Sequence, residues 1–211
     1  MALDNEFKEV AFNEERAPLN KGKWRGQVFH SDEKTPLDLE IGTGTGFFFD
    51  QQAVKNPNRL LLGMELKYKP LIQTIRRARR SGCVNVAICR FHGFNIEELF
   101  VENELDNVFI HFPDPWVTPK KPKNRIIQKD FLDKIFNLQK PGSSLEFKTD
   151  SLIYFQWAME EIKKSKYEIE FSTYDLHQSE KAKENFITGF ESIFLKQGIK
   201  INYVLLKKGL K

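Results

Sequence analysis

The chain has 211 residues, and lysine plus arginine (33) exceed aspartate plus glutamate (29), for a net charge of +4. That length suits one well-packed α/β domain, and so mild a basic excess permits a nucleic-acid partner without requiring one. Cys83 and Cys89 form no CxxC or cysteine/histidine spacing, the start lacks a signal-peptide pattern, and no run approaches the roughly 18 apolar residues of a membrane span, so a reduced, soluble, cytoplasmic protein without metal or membrane is expected.

Residues 1–36 carry no sustained period, and Pro18, Gly22, Gly26 and Pro36 interrupt them, which predicts an irregular N-terminal arm with a short helix around Glu6 to Phe12. Within it, Lys21-Gly22-Lys23-Trp24-Arg25 suits either a tryptophan that pins the arm to the core or a basic edge near a polyanion. From residue 37 to 211 a single domain is expected.

That domain opens on a strand, Leu37 to Ile41, that runs into Gly42-Thr43-Gly44-Thr45-Gly46 and a helix over about Phe47 to Lys55. Alternate glycines let a strand turn sharply into a helix while leaving room for a ligand beside the helix's unpaired N–H groups. Glu40 would repel a pyrophosphate but can accept from a ribose, an amine or an ammonium group. The spacing is GxGxG rather than the dinucleotide GxGxxG, with Phe47 where the third glycine would stand. Both features favour S-adenosylmethionine over NAD.

A second strand, Arg59 to Met64, ends at Glu65, and in an open parallel sheet Glu40 and Glu65 share the crevice beyond the strands' carboxyl ends, Glu65 as partner of ribose hydroxyls. The next helix, about Pro70 to Arg80, sets Leu71, Ile72, Ile75 and Ala78 on one face; Arg76, Arg77, Arg79 and Arg80 form either a solvated face or a contact for RNA phosphates. After a third strand, Asn85 to Cys89, Phe91, His92 and Phe94 stand where an adenine pocket is expected, able to stack on the base or simply to pack.

A fourth strand, Asn107 to Phe112, leads into Pro113-Asp114-Pro115-Trp116, where two prolines restrict the backbone around a carboxylate. Val117 to Arg125 carries Lys120, Lys121, Lys123 and Arg125 and reads as a basic loop. Further elements are a helix from about Ile127 to Asn137, a strand from Ser144 to Lys148 ending at Thr149-Asp150, and a helix from about Leu152 to Lys164. A strand around Tyr167 to Ser172, a helix from roughly Lys181 to Gln197 and a last strand from Ile201 to Leu206 complete the chain. The sum is a doubly wound, seven-stranded, mostly parallel sheet with helices on both faces, a Rossmann-like α/β fold.

In order along nearly the whole chain, Lys21-Gly22-Lys23-Trp24, Glu40 to Gly46, Glu65, Phe112-Pro113-Asp114-Pro115-Trp116, Thr149-Asp150, Asp175-Leu176-His177 and Thr188-Gly189-Phe190-Glu191 resemble the tRNA (guanine-N7-)-methyltransferases, class I enzymes that use S-adenosylmethionine. The resemblance implies methylation of N7 of a guanine in the variable loop of tRNA by a monomer or homodimer. It implies cofactor contacts at Glu40, Gly42, Gly44, Gly46, Glu65 and the His92 position, Asp114 beside the reacting centre, and substrate contacts at Asp114, Lys120, Arg125, Asp150, Thr188 and Glu191. Guanine N7 has a lone pair and no proton to lose, so these carboxylates would orient the base and stabilise developing positive charge rather than abstract a proton.

The chain departs from the family at His92-Gly93, where an acidic residue and alanine are usual, and at Asn124, which replaces an arginine of the basic run. These departures motivate the competing expectations: a degenerate RNA-binding protein that kept the fold, or a methyltransferase for a different RNA. Thr188 and Glu191 also fit a plain helix capping pair, Asp150 fits a helix N-cap, and His177 fits a structural role better than a catalytic one.

Overall fold

The computed structural model describes residues 6–116 and 124–210. Its strands are β1 (Ala11–Phe12), β2 (Leu37–Ile41), β3 (Leu60–Met64), β4 (Val86–Cys89), β5 (Val108–His111), β6 (Ser144–Thr149), β7 (Glu168–Thr173) and β8 (Asn202–Lys207). They form one sheet in the order β1-β4-β3-β2-β5-β6-β8-β7, parallel except that β8 runs antiparallel to both β6 and β7. The helices are α1 (Phe47–Lys55), α2 (Tyr68–Arg80), α3 (Lys129–Leu138), α4 (Leu152–Lys163) and α5 (Gly189–Lys196).

Every residue of β2 and β3 is buried, as expected of parallel strands covered on both faces. Leu37, Leu39 and Ile41 join Leu60, Leu62 and Met64 in a core closed by α3, α4 and Trp24. On the opposite face Leu61 packs against Phe49, Ala53 and Ala78 from α1 and α2. Glu40 points to that second face, because its neighbours in β2 point to the first. The chain goes from β2 outward to β3 and β4, then returns to place β5 on the other side of β2. The switch point therefore lies between β2 and β5, where ligands of open α/β sheets bind.

Two expectations need correction. The helix expected around Glu6 to Phe12 is a turn followed by β1, whose pairing with β4 makes the sheet eight-stranded rather than seven-stranded. The free edge of β4 decides this: Ile88 N donates to Val10 O (2.8 Å) and Arg90 N to Phe12 O (2.8 Å). The helix expected from Lys181 to Gln197 is a short 3-10 turn, Glu180–Lys183, and then α5, because Thr188 caps a new helix rather than continuing an old one. Of the two readings of Lys21 to Arg25, the first holds: Trp24 is fully buried and its Nε1 donates to Leu99 O at 2.8 Å, pinning the arm to the core.

Candidate active site

The glycine turn is shaped from behind by α2. Gly42, Gly44 and Gly46 all have positive φ (84°, 54° and 79°). A Cβ on Gly46 would stand 2.8 Å from Thr74 Cα, so only glycine lets α2 approach this closely. Thr74 donates its hydroxyl to Gly44 O (3.0 Å), and Arg77 donates Nε to Thr45 O (3.0 Å) while its guanidinium lies 3.7 Å over the Phe47 ring. Arg76, Arg79 and Arg80 are exposed, and of these Arg79 is also tied back, to Glu6 O at 3.1 Å.

In front of the turn the space is open: a Cβ on Gly42 or Gly44 would meet nothing within 4 Å. Glu65 accepts from Gly44 N (2.9 Å) and Lys67 N (2.8 Å), which fixes its half-buried carboxylate beside that space. Glu40 is 2% exposed, and its Oε2 has no hydrogen-bond partner. Burial pushes its carboxyl well above the usual range; Lys148 opposes the shift, and the negative charges of Glu65 and Asp50 add to it. A buried acceptor without a donor, next to a cradle free of side chains, fits a ligand that brings its own N–H groups, as the ammonium of S-adenosylmethionine does. On the adenine side, Phe91 is buried in the core, whereas His92 is exposed and stacked on Phe94 (centroids 5.6 Å apart, planes at 28°).

Across the switch point, Phe112 (φ 50°) and Trp116 (φ 42°) are both left-handed and bracket Pro113-Asp114-Pro115. Bulky residues adopt that conformation only where surrounding contacts impose it. Arg125 imposes part of it: Nε donates to Pro115 O (2.9 Å) and a terminal N–H to Trp116 O (3.4 Å), with the guanidinium 5.2 Å from the Tyr154 ring centre and 4.8 Å from that of Trp157. Arg125 is 6% exposed, so the expected substrate contact is instead a brace of the loop. Asp114 is exposed, without an ion pair or hydrogen bond among the described residues. Lys120, the other basic candidate of this loop, lies outside the described residues.

Asp150 follows β6 and is half-buried; Ser151, not Asp150, caps α4 by accepting from Tyr154 N (3.2 Å), which leaves the Asp150 carboxylate uncommitted to the helix. Thr188 and Glu191 form a capping box at the start of α5 and are 8% and 0% exposed. Glu191 is thus a buried carboxylate rather than a presented one. His177 Nε2–H donates to the ionised Glu191 Oε1 (2.7 Å), in keeping with a structural role.

Two functional-looking residues escape sequence inspection. Lys148 is wholly buried and ion-paired to Glu191 at 3.2 Å. His111, at the end of β5, shares a 2.7 Å hydrogen bond with Glu146 Oε1, while Glu146 Oε2 accepts from Tyr203 OH at 3.0 Å. Burial and the Lys148 charge push the His111 imidazole down to about 4, and its Nδ1 has no partner. Glu146 stays below the usual carboxyl range because the bond to His111 and nearby positive charge outweigh its burial. The signal was present in Ser144-Leu145-Glu146-Phe147-Lys148: alternation with opposite charges on one face of a central strand requires buried partners.

The sheet order, with antiparallel β8 between β6 and β7, and the carboxylate-flanked glycine turn at the switch point define a class I methyltransferase. Residues 34–204 match the model of a protein family described as "Putative methyltransferase". The chain is 61% identical over 208 residues to a tRNA (guanine-N(7)-)-methyltransferase of Bdellovibrio bacteriovorus, covering 99% of this chain and 100% of that protein. It is 33% identical over 187 residues to the enzyme of the same name from Clostridium tetani, covering 89% and 87%. Among solved structures, an antibiotic-related methyltransferase shares the fold at a TM-score of 0.60 and 20% identity, over 82% of this chain and 87% of that one. The chain belongs to the tRNA (guanine-N7-)-methyltransferase family.

Proposed function

We propose that this protein transfers the methyl group of S-adenosylmethionine to N7 of a guanine in the variable loop of tRNA. The observation that carries this reading is the exposed Asp114 carboxylate, held between two left-handed residues across the switch point from the Glu40 and Glu65 turn. Bound S-adenosylmethionine supplies an electrophilic methyl group on a sulfonium centre. Glu40 accepts from its ammonium group, Glu65 from its ribose hydroxyls, and Gly42, Gly44 and Gly46 line the space around it. His92 and Phe94 offer a ring face to the adenine in place of the acidic side chain usual in the family. Asp114 and Asp150 accept from guanine N1–H and N2–H, fix N7 toward the methyl group and stabilise the positive charge the base acquires. Arg125 holds the Asp114 loop, and Lys120 meets tRNA phosphate.

No helix of the described residues is long and apolar enough to cross a membrane. A cytoplasmic enzyme acting on tRNA as a monomer or homodimer is the setting that agrees with the family.

The test is to incubate the protein with unmodified tRNA and methyl-labelled S-adenosylmethionine and to identify the labelled nucleoside after digestion. Label in 7-methylguanosine is the expected result; label in another nucleoside, or none, overturns the proposal. Asp114→Ala should slow transfer by about 10²-fold while tRNA binding is kept.

A further inference from the structure

α5 rests on the Leu176, Ile201 and Tyr203 cluster through Phe194, whose ring lies 5.7 Å from that of Phe112, but its start is held by charge. Glu191 is its only fully buried side chain, whereas Phe190 and Ile193 are more than half exposed. Glu191 meets Lys148, which is also fully buried, and a buried ammonium persists only when its donors are taken and a counter-charge adjoins it. Lys148 Nζ donates to Asn185 Oδ1 (2.8 Å), Phe186 O (3.2 Å) and Glu191 Oε2 (3.2 Å), which uses all three N–H groups. Glu191 is equally engaged. Its Oε2 also accepts from Thr188 N (3.3 Å), and its Oε1 is bonded to Asn185 Nδ2 (2.6 Å) and His177 Nε2 (2.7 Å). A carboxylate has about four lone-pair sites, and all are filled before any nucleobase arrives.

Lys148 also touches the other side of the site. Its backbone O accepts from Phe112 N (2.8 Å), the left-handed residue that opens the Asp114 loop, and Thr149-Asp150 follow it directly in the chain. One residue thereby joins the Asp114 loop, Asp150 and the cap of α5.

We propose that Lys148 and Glu191 are a pair of positioning residues, touching neither donor nor base, that hold the 176–191 segment in register with the Asp114 and Asp150 carboxylates around the acceptor guanine. The inference rests on the proposed tRNA methyl transfer for the identity of that acceptor. It departs from the family expectation of a direct Glu191–substrate contact.

The experiment compares wild type, Lys148→Met and the double variant Lys148→Met/Glu191→Gln in three measurements. These are S-adenosylhomocysteine affinity, KM for tRNA, and amide hydrogen exchange over residues 176–190. In Lys148→Met the exchange of that segment should accelerate and KM should rise, each by about tenfold or more, while the S-adenosylhomocysteine Kd, which feels the Lys148 charge only through Glu40, changes clearly less than KM. The double variant removes the stranded charge, so its Tm should recover toward wild type while KM stays raised. Recovery of KM along with Tm would make the pair purely structural. A Kd for S-adenosylhomocysteine that rises as much as KM would assign the pair to the donor side, and unchanged exchange in Lys148→Met would remove the ordering role. If the wild-type protein methylates no tRNA, the functional proposal fails by itself, and the exchange measurement still decides whether the pair orders the segment.

Discussion

Gly44→Ala and Gly46→Ala should separate the two jobs of the glycine turn, because a methyl group meets different surroundings at the two positions. Both residues have positive φ, so alanine at either costs about 1 kcal/mol of backbone strain. At Gly46 the added Cβ would also lie 2.8 Å from Thr74 Cα and 3.0 Å from Thr74 Cγ2 and Oγ1. Those atoms belong to the packed side of α2 and cannot swing away, which adds about 1–3 kcal/mol of overpacking. Gly46→Ala should therefore lose about 2–4 kcal/mol, a large part of the roughly 5–15 kcal/mol that stabilises a typical domain. With a urea m-value of about 2–3 kcal/mol/M, the unfolding midpoint should fall by about 1 M. Gly44→Ala meets nothing within 4 Å, so its stability loss should stop at about 1 kcal/mol. Its methyl group instead enters the open space before Glu65, and calorimetric titration should show S-adenosylhomocysteine bound at least about tenfold more weakly, equivalent to 1.4 kcal/mol. If Gly44→Ala bound normally while losing as much stability as Gly46→Ala, the turn would be a packing device and not the donor cradle.

The His111 imidazole titrates near 4 in the native protein and near 6.5 when unfolded, so between those values only the unfolded chain binds the proton. The contribution of His111 to stability should be flat above pH 6.5 and fall by up to about 3 kcal/mol as the pH drops to 4; in His111→Asn, melting curves should lose that part of the slope. Arg125→Lys keeps the charge but not the fork that reaches Pro115 O and Trp116 O, so kcat should drop by about tenfold or more with the Kd for S-adenosylhomocysteine unchanged. A fall in donor affinity instead would show that the loop also shapes the donor side. Trp24→Ala should cost about 3–5 kcal/mol in denaturant unfolding, because it empties a fully buried site and removes the bond to Leu99 O. A loss under about 1 kcal/mol would mean that the arm packs only loosely on the domain.

Much of the donor side was legible along the chain. The alternation of β2, the positive-φ glycines and the carboxylates at the ends of β2 and β3 all lie within a short span, and local rules connect them to a ligand cradle. The acceptor side was legible as a set of motifs but not as a set of roles. Arg125, at the end of a basic run, stood as an expected substrate contact; burial against Tyr154 and Trp157 made it a brace. Asp150 fitted a helix N-cap by residue type, but the start of α4 at Leu152 gave the cap to Ser151.

Adjacent residues thus dictated β2 to β8, the glycine turn and the capping box of α5, because each depends on backbone conformations and side chains a few positions apart, whereas β1 needed the distant edge of β4. Strand order dictated the rest. β8 slides between β6 and β7 and brings Tyr203 onto Glu146, while the segment before α5 folds over Lys148 and buries Glu191. Whether a charge is a surface contact or a buried hinge depends on which distant segment covers it, and that is a property of packing rather than of local pattern.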